Sequence, residues 1–181
     1  MTAERTGLAY QPPAQRVAFT FRHLLSQIQI IGRIDPALAA SGVSATIRSV
    51  KLYGMPRTGE CAVQPEGNGT WSLGEATDAD NPFARDPVSR ELTPAGISVF
   101  ADDLLLFPQH GFVLEIEYEY AGNGTSGTFA KSISLAGAGI GTWEAGCSYR
   151  YTFTVGNEYI LFEKPEVIPW SSASGGNITV E

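Results

Sequence analysis

The stretch AGCSYRYTFTV, residues 145–155, alternates two kinds of side chain almost without exception. One parity carries a thiol, three aromatic rings and a valine, while the other carries serine, arginine and threonine. Because successive side chains of a β-strand point to opposite faces, this period of two predicts a strand with one buried face. The residues expected on the buried face are Cys147, Tyr149, Tyr151, Phe153 and Val155.

The same alternation recurs along the chain and favours an all-β fold. FVLEIEYEYAG alternates apolar residues with glutamates, the turn formers AGNGTSG follow, and TFAKSISL alternates again. This succession predicts a hairpin, and Gly156-Asn157 predicts a second one that pairs 148–155 with 158–163. Lys131 shares the parity of Phe129 and Ile133. It indicates an edge strand that discourages stray pairing, or a side chain that reaches the rim.

Three segments depart from regular alternation. In RVAFTFRHLLSQIQIIG the apolar parity moves from odd to even positions, which predicts a bulge or single turn around 24–27. About fifty residues rich in Gly, Asp, Pro and Asn separate SATIRSVKLYG from LLLFPQ, and we expect short strands and an exposed acidic tip there. IDPALAASG predicts one short helix, capped by Asp35 with Pro36 at its first position.

The length of the chain fits one domain. A chain of 181 residues, 43% of them hydrophobic, buries about 70% of the surface that its unfolded form exposes. A core of that size needs no metal or disulfide. We therefore expect a flexible segment over 1–15, followed over 16–181 by one all-β sandwich of about seven to nine strands with at most one short helix.

Charge and motifs disfavour several classes of function. Twelve basic and nineteen acidic residues give a net charge of −7, and the scattered basic residues fit neither nucleic acid nor an anionic membrane. His23 and His110 lie far apart, without HxH, HExxH or CxxC, so we expect structural roles and no metal site. There is no G-x-S-x-G, and Cys147 lies on an aromatic face where thiols are inert. We expect no catalytic residues and no cofactor.

Two groups of residues leave alternatives open. Cys61 and Cys147 fit a single disulfide in an oxidising compartment as well as two unrelated thiols in a reducing one. The tryptophans, as amphipathic rings, suit a platform for sugars. We favour Trp143 and Trp170 as caps at the ends of the core, and Trp71 as the candidate glycan contact.

The sequence contains no recognisable signal peptide or membrane-spanning run. The start MTAERTGLAYQPPAQ is polar and lacks the apolar centre of a signal peptide, and no apolar run approaches the roughly 18 residues of a spanning helix. A cytoplasmic protein and a mature or trimmed form are both compatible with this pattern.

Three short motifs, taken in order, resemble one family. RVAFTFRHLLSQIQI resembles an opening strand of the form aliphatic-x-Phe-x-His-x-x-Ser-x-aliphatic, with Phe21, His23 and Ser26 at its defined positions. LLLFPQ resembles the LLLIPQ that leads into a long alternating strand. WEAGCSYRYTFTV followed by IPW resembles the closing strand. The defined positions of this closing motif are Trp143, Gly146, Tyr149, Tyr151, Phe153 and Trp170. The family is the Bacteroidales-type fimbrillins, Mfa-like proteins of the type V pilus group.

The resemblance covers residues 16–172 and implies both a fold and a role. Fimbrillins are typically two transthyretin-like, Greek-key β-sandwich domains, exported as lipoproteins, trimmed, and polymerised by strand exchange. The opening strand here resembles the start of their second domain. Without a first domain or a lipoprotein signal, we expect a trimmed form or a one-domain relative.

The implied function is a subunit or accessory component of a surface fimbria that supports adhesion. Its partners would be other pilus subunits, and its location the cell surface, with outer membrane association in the full-length form. The alternative is a cell-surface glycan-binding sandwich module, whose partners would be host or bacterial surface glycans or proteins.

Overall fold

The part of the chain that the computed structural model describes is built almost entirely of strands. Its single helix has five residues, which confirms the all-β sandwich expected from the sequence. Phe21 and the segment over 1–15 lie outside the described residues, and the domain division stays a prediction. The described residues are 22–64, 69–86, 89–110, 112–122, 124–135, 142–157 and 159–170.

Thirteen strands occur in the described residues, more than the seven to nine expected. The excess consists of pieces of two to five residues, because the long glycine- and proline-rich segment breaks into short strands rather than one loop. In chain order the elements are β1 (Ser26–Ile34), α1 (Pro36–Ala40), β2 (Ser44–Tyr53), β3 (Gly59–Val63), β4 (Gly69–Leu73), β5 (Ala84–Asp86), β6 (Arg90–Glu91), β7 (Ile97–Ser98), β8 (Leu104–Leu106), β9 (Val113–Gly122), β10 (Thr125–Ser134), β11 (Cys147–Val155), β12 (Ile160–Phe162) and β13 (Glu166–Pro169).

Two main sheets enclose the core. The six-stranded sheet has the order β12-β11-β1-β7, with β13 also paired to β11 and β8 to β1. The five-stranded sheet has the order β10-β9-β2-β5, with β6 also paired to β2, and β3 and β4 form a separate ribbon. The pair β1–β11 is parallel, whereas the other strand pairs described are antiparallel.

Strand β11 confirms most of the alternation from which the fold was inferred. Its inward Tyr149, Tyr151, Phe153 and Val155 are all at most 2% exposed. Cys147 is only half-buried, and Thr152, which the alternation puts on the outward face, is also buried. Thr152 lies opposite Ile31 of β1, and its carbonyl accepts from the Glu163 N–H, so chain runs along both sides of this small residue. The inward faces of both sheets contribute to one continuous hydrophobic core.

The two predicted hairpins are confirmed. Strands β9 and β10 pair antiparallel along their whole length, and β11 pairs antiparallel with β12 across the turn at Gly156. Strand β10 lies at the edge of its sheet, as the position of Lys131 indicated. Phe129 has the inward parity, yet 40% of it is exposed because no described strand continues the sheet beyond β10.

Changes of apolar parity mark irregular backbone at two places. Strand β1 begins only at Ser26, after a bend at Leu25, so the expected turn lies where the parity changes. His23 precedes this strand, and the expectation that it lies inside a strand was wrong. A second irregularity, at Arg48 in β2, was not predicted, although the buried parity changes between Ile47 and Val50 in the same way.

The helix and the exposed acidic tip lie where the sequence predicted them. Asp35 caps α1, its carboxylate accepting hydrogen bonds from the backbone N–H groups of Ala37 and Leu38, and Pro36 begins the helix. Glu75, Asp78 and Asp80 are exposed, as expected of the acidic tip.

Replacing Tyr151 tests whether β11 carries the core. Tyr151→Ala removes a ring that is 2% exposed and leaves a cavity, so we expect the free energy of unfolding to fall by about 3 kcal/mol or more. Thr154→Ala, on the outward and only half-buried face, should cost under about 1 kcal/mol. Urea unfolding of both variants measures the difference, and equal small losses would contradict the assigned core.

Candidate functional site

The opening and closing motifs meet at one end of the sandwich. The rings of His23 and Trp170 stack with centroids 3.8 Å apart and planes 11° from parallel. These two residues are separated by nearly the whole described chain, and the stack joins the segment before β1 to the end of β13. The structure thus brings together two residues that the sequence could only place in separate motifs.

Backbone and hydroxyl hydrogen bonds tie the same two motifs together. Ser26 is fully buried, and its Oγ donates to the carbonyl of Glu144 at 2.9 Å. The Gly146 N–H donates to the Leu25 carbonyl at 3.0 Å, and the Gly146 carbonyl accepts from the Trp170 N–H at 2.7 Å. Gly146 has φ +73°, a left-handed conformation that glycine adopts without a steric penalty. This glycine therefore allows the turn that carries both bonds.

The aromatic residues of the closing motif form a hydrogen-bonded cluster in the core. Trp143 Nε1 donates to the Tyr151 hydroxyl at 2.8 Å, and the Tyr149 hydroxyl accepts from the Glu144 N–H at 2.6 Å. The Phe112 ring packs on Trp143 with centroids 4.4 Å apart. Burial raises the pKa of Tyr149 and Tyr151, although the hydrogen bonds that they accept oppose the rise. Both phenols are therefore neutral near pH 7, and they serve packing and hydrogen bonding.

The two cysteines are half-buried free thiols in the structure, and a disulfide between them stays an open alternative. Cys61 lies on β3, and Cys147 lies at the start of β11. Burial, with a smaller contribution from Glu144, raises the pKa of the Cys147 thiol. A raised pKa lowers the thiolate fraction, so Cys147 fits inert packing rather than nucleophilic chemistry.

Trp71, the candidate glycan contact, packs on its own domain. Its Nε1 donates to the Leu24 carbonyl at 2.9 Å, and its ring lies 4.8 Å from that of Phe107. Trp71 is half-buried, and the N–H that would orient a sugar is already bonded. The glycan contact at Trp71 stays a prediction.

Within the described ranges, no three side chains among His, Cys, Asp and Glu come together as a metal site. His110 Nδ1 lies 3.1 Å from the Thr142 hydroxyl, at a bridge between two loop segments. Over the same ranges, the chain forms no helix with the length and hydropathy that crossing a bilayer requires.

One edge of the six-stranded sheet exposes apolar side chains that the alternation pattern did not predict. Strands β12 and β13 lie end to end along the same side of β11, with Pro165 between them. Prolines within EYILFEKPEVIPW are typical of an edge strand and could have indicated this position. We name this surface the apolar edge. Its large exposed residues are Tyr159 (51%), Leu161 (57%), Val167 (49%) and Ile168 (49%).

Ser26→Ala tests the link between the two motifs. The change removes the buried hydroxyl that donates to the Glu144 carbonyl, so we expect the free energy of unfolding to fall by about 0.5–1.5 kcal/mol. Ser132→Ala removes an exposed hydroxyl bonded to the Glu115 carboxylate and should cost under about 0.5 kcal/mol. Urea unfolding measures both, and equal losses would argue against the link.

The fold has a counterpart among solved structures. One from Parabacteroides distasonis, described as a "putative cell adhesion protein", is 11% identical, has a TM-score of 0.59, and matches 86% of this chain and 54% of its own. Structures with the same description come from Bacteroides uniformis, with 17% identity and a TM-score of 0.40, and Bacteroides eggerthii, with 14% and 0.42. Their matches cover 86% and 84% of this chain, and 54% and 57% of theirs. The chain thus spans about half the length of these structures.

The family assignment comes from a sequence model rather than from these distant structures. No curated protein matches the chain. The sequence model described as "Fimbrillin-like" matches residues 1–170, a span that contains the opening motif, LLLFPQ and the closing motif through Trp170. The chain therefore belongs to the fimbrillin-like family.

Proposed function

We propose that the chain is a structural subunit or accessory component of a bacterial surface fimbria, that it joins neighbouring subunits by β-strand exchange, and that it supports adhesion. The proposal places it at the cell surface, associated with the outer membrane in its full-length form. It assigns no catalytic role, since the motif residues are engaged in packing and hydrogen bonds inside the domain. Membership of the fimbrillin-like family supports the role.

The observation that carries the proposal is the apolar edge. Soluble proteins normally protect a sheet edge with charge or cover, because unpaired backbone groups beside apolar side chains attract another strand. Here Leu161 and Ile168 remain about half exposed on strands that end the sheet within the described part of the chain. A strand from a neighbouring subunit would cover these side chains and pair with the backbone beside them.

Strand addition suits a filament for a physical reason. An added strand forms a row of backbone hydrogen bonds and buries alternate side chains at once, so the joint is strong without any catalytic residue. Pro165 and Pro169 lack an N–H, which restricts where an incoming strand can pair along this edge. The prolines thereby favour one register of the joint over others.

Lysine substitutions at the apolar edge test this role. In cells that make the protein, we expect Leu161→Lys and Ile168→Lys together to abolish subunit ladders on unheated gels. Immunogold labelling along thin filaments should be lost together with the ladders, because an incoming strand would have to bury two charges. Both sites are about half exposed, so the purified variant should keep its melting temperature within a few degrees.

Leu105→Lys is the matched control. Leu105 is 52% exposed on β8, which pairs with β1 on the side away from β11, and its replacement should leave ladders and filaments unchanged. Filaments that survive the double substitution would contradict assembly at the apolar edge. Diffuse label over the envelope in the unmodified cells would contradict the fimbrial role itself.

A further inference from the structure

A cleft of about 340 Å³ lies beside the edge strand β10. Its volume is within the usual range for small-molecule sites, about 300–1,000 Å³. The cleft joins the inward faces of β9 and β10 to the turn that follows β11 in the other sheet. The lining residues are Tyr118, Tyr120, Thr125, Phe129, Lys131 and Asn157.

Three aromatic rings form one wall of the cleft. Phe129 lies opposite Tyr118 in the strand pair, with ring centroids 5.7 Å apart and planes 29° from parallel, and Tyr120 meets Phe129 edge-on at 6.4 Å. The two tyrosines are 4% exposed, whereas Phe129 is 40% exposed. The tyrosines thus hold Phe129 in place from the core side, and part of its surface remains open to a ligand.

Lys131 places a positive charge next to these rings. It has the same inward parity as Phe129, and no ion pair to it occurs among the described residues. The glutamates of β9 have the opposite parity, and two of them, Glu115 and Glu119, pair with Lys51 and Arg48 on that outer face. In a chain of net charge −7, this cation is available to an anionic ligand.

Asn157 and Thr125 supply hydrogen-bonding groups at the rim. The Tyr120 hydroxyl donates to Asn157 Oδ1 at 3.1 Å, which fixes the amide and leaves its NH₂ group to donate elsewhere. The Thr125 hydroxyl can both donate and accept. An aromatic face, a cation and two polar groups therefore surround one cleft.

We propose that this cleft binds a sugar ring that carries a carboxylate, such as a uronic or sialic acid at the end of a glycan. The apolar C–H face of the ring would pack on Phe129, the carboxylate would pair with Lys131, and the sugar hydroxyls would bond to Asn157 and Thr125. A purely apolar ligand would leave the Lys131 charge and the polar groups unpaired, and a neutral sugar would leave Lys131 unpaired.

The experiment titrates the purified chain with 3′-sialyllactose, digalacturonate and neutral lactose, followed by saturation-transfer NMR and calorimetry. We expect at least one acidic sugar to bind, and lactose to bind at least about tenfold more weakly because it lacks the charge-assisted contact. Lys131→Met, which keeps an unbranched apolar side chain, should lower the acidic sugar's affinity about tenfold or more.

Two further variants distinguish sugar binding in the cleft from general effects of substitution or of lost charge. Phe129→Ala removes the ring on which the sugar would pack and should weaken acidic-sugar binding about tenfold. Lys131→Met keeps that ring, so the two variants test the aromatic contact and the charge separately. Lys164→Met removes an exposed lysine outside the cleft and should leave binding unchanged. Absence of binding by both acidic sugars, equal binding of lactose, or full affinity in Lys131→Met would overturn the proposal.

This inference does not depend on strand exchange. The titration uses the soluble chain and reads out a cleft on β10, whereas assembly is assigned to the apolar edge of β12 and β13. A negative titration would not contradict the fimbrial role. Substitutions at the apolar edge that abolish filaments should leave sugar binding unchanged.

Discussion

The parallel pairing of β1 with β11 is the contact on which the rest of the structure depends. Its register runs unbroken from Gln27 opposite Ser148 to Ile34 opposite Val155. Parallel neighbours cannot be joined by a tight turn, so the intervening chain must cross over, and here it builds the whole five-stranded sheet on the way. The two strands occupy the middle of their own sheet and present Ile30, Tyr151 and Phe153 to the core.

The close approach of these strands to the core explains features that look unrelated in the sequence. Gly32 is buried opposite Phe153, and a Cβ there would lie 2.8 Å from both the Phe153 ring and Leu92. A side chain at this position would displace the ring. His23, just before β1, and Ser26, the first residue of β1, secure the same pair through the Trp170 ring and the Glu144 carbonyl. The motif residues thus stabilise the β1–β11 strand pair from one end.

Because the central strands are enclosed by their neighbours, the surfaces open to a partner lie at the edges of the sheets. Central strands have both backbone sides paired and their inward side chains enclosed, so they offer little to a partner. Strands β10, β12 and β13 each have one free side in the described structure, and exposed apolar residues such as Phe129, Leu161 and Ile168 lie on them beside the inward-facing Lys131. Assembly through one edge and ligand binding beside another are compatible, because the apolar edge and the cleft do not share a lining residue.

By itself, the sequence determined the long alternating strands, two hairpins, the capped helix and most of the buried face of β11, because each depends on local periodicity or turn chemistry. The parity of Lys131 left an edge strand and a side chain at the rim as alternatives, and the topology shows that β10 is an edge strand. The tertiary structure alone decided that His23 stacks on Trp170, that Ser26 reaches Glu144, and that Thr152 is buried. It also decided which apolar residues stay exposed. These outcomes depend on which distant strands become neighbours, and alternation along one strand specifies its faces without specifying what lies against them.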